Sequence, residues 1–194
     1  MSPAKIILRF NSGTFGRRSQ IMEAFNSSNF ARALEILEEA EQNPGSDLTK
    51  FNTENTRALI YIEQKMLQKA NLHINKAHQE ALRSGNENEL SSIKNTTFLY
   101  YVKQSKFTDA QRVIEESIQI NPKNKSAYIN YLFTLSKLKQ INIIAHAIKE
   151  TIPLIFPEFL DKTSTCSIRL HIQHDKDLAK VLPIARNIHP TLFN

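Results

Sequence analysis

A proline set between two amphipathic helical stretches constrains this chain most. From Phe107 to Leu138 it reads FTDAQRVIEESIQI, then NPKNK, then SAYINYLFTLSKL. Phe107, Ala110, Val113, Ile114 and Ile118 recur at helical spacing and form one apolar face. Asp109 falls in the first turn, where a carboxylate complements the helix dipole. Asn121-Pro122 ends the helix, because proline restricts the residue before it and has no amide to donate. Tyr128, Tyr131, Leu132, Leu135 and Leu138 then resume the period. One such hairpin cannot bury its apolar face alone, so a chain that repeats helix, stop, helix is expected to stack its hairpins.

The rest of the chain agrees with a helical fold. At 194 residues it has room for about five hairpins of ~34 residues. Its four glycines (Gly13, Gly16, Gly45, Gly85) all fall outside the expected helices. Valine is scarce and turn dipeptides are few, which argues against a sheet. Cys166 is the only cysteine, so no intrachain disulfide can form and a reducing compartment is expected. No apolar run approaches the ~20 residues of a bilayer span, so no membrane insertion is expected.

The formal charge of +6 is unevenly placed. Residues 1–20 hold Lys5, Arg9, Arg17 and Arg18 with no acid, whereas residues 21–50 are net acidic and the remainder is basic. MSPAKIILRFNSGTFGRRSQ resembles a mitochondrial presequence: basic, acid-free, with Lys5 and Arg9 opposite Ile6, Ile7 and Phe10 on a helical wheel. The expected layout is a presequence and flexible N-terminus over 1–16, a helical domain over 17–194, and residence in the mitochondrial matrix.

Five hairpins are expected in order. The first covers 17–27 and 29–42, with Phe30, Ala33, Leu34, Leu37 and Ala40 inward and Pro44-Gly45 as the stop. The second opens with Thr53 as N-cap and pairs with a helix over 71–84 carrying Leu72, Ile74, Ala77, Ala81 and Leu82, with Gly85 at C′. The third covers 89–104 and 107–120. The fourth covers 125–138 and 141–151, broken by Pro153 and Pro157. A less regular fifth covers 160–173 and 175–188, where Pro183 predicts a kink or early stop. Ala40, Ala81, Ser117 and Thr151 read as equivalent small or short polar positions.

Signs of catalysis are missing from the sequence. Gly13-x-x-Gly16 lacks the Lys-Ser/Thr of a phosphate loop. Cys166, His171 and His174 have poor metal-ligand spacing and read as surface or packing residues. His73 and His78 read as solvated, and His146, between two alanines, as packed. Glu38-Glu39 and Glu115-Glu116 read as solvated faces. The expectation is a chain that is not an enzyme, with no cofactor, no metal and no small-molecule substrate.

The stretch from Phe107 to Asn124 resembles a tetratricopeptide repeat in its large residue at Phe107, small residues at Ala110 and Ser117, and turn proline at Pro122. Phe30-x-x-Ala33-x-x-x-Leu37-x-x-Ala40 repeats the pattern, while the second unit places Asn71 at the large position. Asn95-Thr96-Thr97-Phe98 and Ala127 to Leu132 also resemble first helices of pentatricopeptide repeats, a mitochondrial RNA-binding family. That resemblance implies a base-reading residue at Asn95, with Ile129 at the equivalent place in the fourth unit. The implied fold is an all-α solenoid of about five antiparallel hairpins whose first helices line a concave face. On that face Asn95, Lys103, Asn130 and Lys137 are the candidate binding residues. Tyr100, Tyr101, Tyr128 and Tyr131 lie among lysines there, and core packing is the favoured reading for most of them. The expectation is an accessory factor of mitochondrial gene expression, contacting RNA or a ribonucleoprotein through a larger protein partner. The alternative is a protein–protein adaptor without RNA contact.

Overall fold

The computed structural model describes residues 16–43, 48–161, 163–164 and 166–193. The expected presequence, apart from Gly16, and the Pro44-Gly45 stop lie outside the described residues. Within these residues the chain is helical, without strands. It forms two compact units, Met1–Thr96 and Thr97–Asn194.

The first unit holds α1 (Arg17–Asn26), α2 (Phe30–Glu41), α3 (Lys50–Glu63), α4 (Leu67–Ser84) and the start of α5 (Glu87–Lys103). Helices α1 and α2 pack together, as do α2 and α3, and α3 and α4. Side-chain oxygens start several helices. Asn29 caps the Arg32 amide at 3.2 Å, and Asn86 accepts from the Asn88 amide at 2.9 Å. The cap of α3 is Thr49, whose hydroxyl accepts from the Asn52 amide at 3.1 Å, not Thr53 as the sequence suggested. Thr53 lies inside the helix, buried, its hydroxyl donating to the Thr49 carbonyl at 3.2 Å.

Among the described residues one turn recurs four times. Ser28, Lys65, Ser105 and Lys139 all adopt left-handed φ, between 58° and 62°. In each case the next residue returns its amide to a carbonyl five positions back: Asn29 to Ala24, Met66 to Tyr61, Lys106 to Tyr101 and Gln140 to Leu135, at 2.7 to 3.0 Å. This is the Schellman closure, which satisfies carbonyls a helix end would otherwise leave open. Counting from these turns aligns the four second helices. Ala33, Ala70, Ala110 and Ile144 fall at one position and are fully buried; Leu37, Ile74, Ile114 and Ile148 share the next and are buried. Ala40, Ala77, Ser117 and Thr151 share a third, the first three of them buried.

This register corrects the sequence reading twice. The partner of Ala40 is Ala77, not Ala81, and the large position of the second hairpin is Leu67, not Asn71. Helix α4 therefore starts a turn earlier than expected, and Leu72 and Leu82 point outward, each more than half exposed.

The second unit holds the rest of α5, α6 (Phe107–Ile120), α7 (Lys125–Lys137) and α8 (Ile141–His146). Helix α8 runs through a π turn, Ala147–Thr151, into α9 (Ile152–Ile155). Pro153 thus does not break the fourth pair. The Ile152 amide reaches back to the Ala147 carbonyl, and this wider turn takes up the mismatch that a proline imposes on a helix. Beyond it the expected fifth hairpin is replaced by short pieces: a 3₁₀ turn Pro157–Phe159, α10 (Ser167–His174), a 3₁₀ turn Lys176–Leu178, α11 (Leu182–Ile188) and α12 (Pro190–Phe193). Pro183 sits in the first turn of α11, where its missing amide costs nothing, and makes no kink.

These pieces close a core of Phe156, Phe159, Cys166, Ile168, Ile172, Val181 and Phe193 around Tyr128, Leu132 and Ile148. Arg169 is buried there. Its guanidinium donates to the carbonyls of Phe159 (3.0 Å), Asp161 (2.8 Å) and Ser164, fastening the loop before α10.

Candidate functional site

The four candidate residues divide between the units: Asn95 belongs to the first, and Lys103, Asn130 and Lys137 to the second. Asn95 is half-buried on α5, and its Oδ1 is enclosed without a hydrogen-bond partner. The acceptor that an amide needs to read a base edge is therefore withdrawn from solvent. Its neighbour Thr96 is buried and donates to Asn55 Oδ1 at 2.7 Å, stitching α5 to α3. Ile129, the equivalent place in the fourth unit, packs on the C-terminal core.

Asn130 and Lys137 sit seven residues apart on one face of α7. Asn130 is half-buried and its carbonyl accepts from the Thr134 hydroxyl at 2.8 Å. Lys137 is exposed, with Nζ 5.0 Å from the centre of the Phe133 ring. Lys103 occupies the last turn of α5, where a cation complements the helix dipole.

Aromatic packing sets the height of these lysines. Phe133 meets Phe98 of α5 edge-on at 6.2 Å and Phe107, the first residue of α6, at 6.4 Å. Phe98 lies five residues before Lys103, and Phe133 lies four before Lys137. At 1.5 Å of rise per residue, the C-terminal ends of α5 and α7 come out level to within about a turn. Gln111 of α6 and Gln140, just before α8, exchange reciprocal amide hydrogen bonds at 3.2 and 3.1 Å. These bonds join α6 to the left-handed turn at Lys139.

The tyrosines divide as their faces suggest. Tyr128 is buried, donates its hydroxyl to the Pro122 carbonyl at 3.2 Å and meets Phe156 edge-on. Tyr131 is half-buried, and burial together with the nearby Glu115 carboxylate raises its pKa above the ordinary phenol value. Tyr100 and Tyr101 are half-buried and pair edge-on at 5.6 Å, one turn before Lys103.

A charged cluster in the first unit escaped the sequence reading. Glu54 of α3 is only 4% exposed, with one carboxylate oxygen 2.6 Å from His73 Nδ1 on α4 and the other 3.5 Å from Arg57 Nη1. Arg57 forks onto Glu41 at the end of α2, at 2.6 and 2.8 Å. These bonds hold the Glu41 carboxyl below its ordinary pKa. Burial works against the Arg57 charge, but the bonds and charge of Glu41 outweigh it, and the guanidinium pKa is raised. His73 also stacks on Tyr61 at 5.3 Å, and Lys69 Nζ lies 5.4 Å from that ring. His73 is thus a packed, paired residue, not a solvated one. Only the Glu54–Arg57 spacing was visible along the chain; His73 comes from another helix. The cluster's charges face one another and join α2, α3 and α4.

His146, expected to be packed, is exposed. Cys166 is fully buried in the C-terminal core, while His171 and His174 lie on α10, the former 3.8 Å from Asp175. Among the described residues no group of three His, Cys, Asp or Glu side chains is placed to hold a metal, and no helix is long and apolar enough to cross a membrane.

Comparison with protein-family models, with curated proteins and with solved structures gives no match.

Proposed function

We propose that this chain is a non-enzymatic helical-repeat binding module, acting as an accessory factor in mitochondrial gene expression and docking on RNA or a ribonucleoprotein. The observation that carries the repeat reading is the fourfold turn. The same backbone closure at Ser28, Lys65, Ser105 and Lys139 starts second helices that bury the same positions. Repeated helix pairs of this kind stack into solenoids that present extended surfaces to partners. The mitochondrial setting rests on the basic, acid-free N-terminal stretch, and the RNA component on the basic body of the chain.

A protein adaptor is the second reading, and specific observations favour it. The Asn95 acceptor is enclosed and Ile129 is packed, so a base-by-base code along the first helices has little to work with. Ultraviolet crosslinking in isolated mitochondria, followed by capture of the tagged full chain, separates the two. Crosslinked RNA on the chain itself supports the RNA reading, whereas recovery of proteins alone supports the adaptor. A full-length fusion that remains cytosolic would remove the mitochondrial setting.

A further inference from the structure

We infer that a polyanion, specifically the phosphate backbone of single-stranded RNA, is held along the turn edge of the second unit by Lys103, Lys106, Lys137 and Lys139. The inference rests on the RNA reading above but moves the contact from the faces of the first helices to the ends of the hairpins. Lys103-Gln-Ser-Lys106 and Lys137-Leu-Lys139-Gln contain four lysines and no acid. Lys106, Lys137 and Lys139 are exposed and Lys103 is partly so.

Packing places the two segments side by side. The Phe98–Phe133–Phe107 contacts level the ends of α5 and α7, and the Gln111–Gln140 pair joins α6 to the second turn. Each turn is closed by backbone hydrogen bonds, so the lysines project from fixed points. Two of them stand at helix C-termini, so the carbonyl ends of α5 and α7 offset part of their mutual repulsion.

Compact ammonium groups on flexible stems suit a row of phosphates, which asks for charge rather than fork geometry. Tyr100 and Tyr101, one turn below Lys103, add aromatic surface beside the cations. Aromatics next to a basic track are the combination that single-stranded nucleic acid uses and an acidic peptide does not need. Of the corresponding turns in the first unit, the one at Ser28 holds no lysine and the one at Lys65 follows Glu63 by two residues.

The test uses the full chain and a fluorescent 20-nucleotide RNA without secondary structure, read by anisotropy at several salt concentrations. Each backbone contact contributes about 0.7 to the slope of log K against log salt for a single strand. Replacing all four lysines by Gln should lower the slope by about 3 and weaken binding more than tenfold at ~100 mM salt. Replacing them by Arg should retain binding, and Lys123→Gln with Lys180→Gln should change the slope by at most about 1. Circular dichroism and the melting temperature establish that each variant is folded. Wild-type binding that survives the four Gln substitutions overturns the edge and leaves the RNA reading standing. Absence of binding by the wild-type chain overturns both. Equal affinity for poly-glutamate would assign the edge to acidic protein and overturn the RNA assignment.

Discussion

The two compact units bury polar chemistry in opposite ways. Between α2, α3 and α4 the first unit pairs charges, Glu54 with His73 and Arg57, and Arg57 with Glu41. The second unit closes on aromatic rings (Phe156, Phe159 and Phe193), and its buried Arg169 bonds to backbone carbonyls. Long helices with regular turns can meet along matched faces and carry cross-helix ion pairs. Short pieces leave more carbonyls without an intrahelical partner; the Arg169 guanidinium takes up three of them, while apolar packing holds the pieces together. The difference shows that one chain can leave a repeating pattern without leaving its helical class.

The largest effect should come from the aromatic core. Phe156→Ala removes a fully buried ring and should cost about 3–5 kcal/mol in denaturant unfolding. Hydrogen exchange should show α10 and α11 losing protection while α3 and α4 keep theirs. Equal loss in both places would mean that the units unfold as one, and the contrast would be thermodynamically empty.

Next in size is the charged cluster. Arg57→Met leaves Glu54 and Glu41 without their shared cation and should destabilise the first unit by about 3 kcal/mol. A cost under about 1 kcal/mol would put the cluster in the class of solvent-screened surface pairs.

The turns should give a smaller change of opposite sign. Lys65→Gly and Ser105→Gly place glycine at left-handed φ and should each stabilise by about 0.5–1 kcal/mol. The mirror test is Gly85→Ala, at φ 62°, with open space around the added carbon. Only the backbone preference is lost there, and a cost of about 1 kcal/mol is expected. Thermal unfolding that moved neither way would show that the recurrent turn is a loosely held loop.

The smallest effect is one of pH. The Glu41 carboxyl is held below its ordinary value of 4.5, chiefly by hydrogen bonds from Arg57. Its contribution to stability is therefore present above the unfolded pKa and lost as pH falls through the folded one. Glu41→Gln should lower the melting temperature at pH 7 and converge with the wild type in acid. A constant difference across that range would assign the stabilisation to something other than the carboxylate charge.

Much of the regular part was legible from residue order. Phe107 to Leu138 announced a helix, a proline stop and a helix, and the structure has α6, Pro122 and α7 at nearly the expected bounds. The register of the second hairpin was not legible, because its turn carries Lys65 where a glycine would have marked the left-handed residue. Ala77 and Ala81 are both small and both fully buried, so spacing alone could not choose between them. Of the lysines proposed for the edge, Lys103 and Lys137 lie near tyrosines in the sequence, whereas Lys106 and Lys139 lie in turns, which carry no helical period.

What the sequence determined by itself is the helical class, the approximate bounds of α1, α2, α6 and α7, and most of the apolar stripe that α2, α6 and α7 bury. Local rules govern these: periodicity, capping and the missing amide of proline. Only the tertiary structure decided that His73 meets Glu54, that Asn95 hides its acceptor, and that Pro153 is carried through a π turn. It also decided that the ends of α5 and α7 come level. Each of these depends on atoms from residues distant in the chain or on a backbone adjustment between neighbouring turns, and neither leaves a period to read.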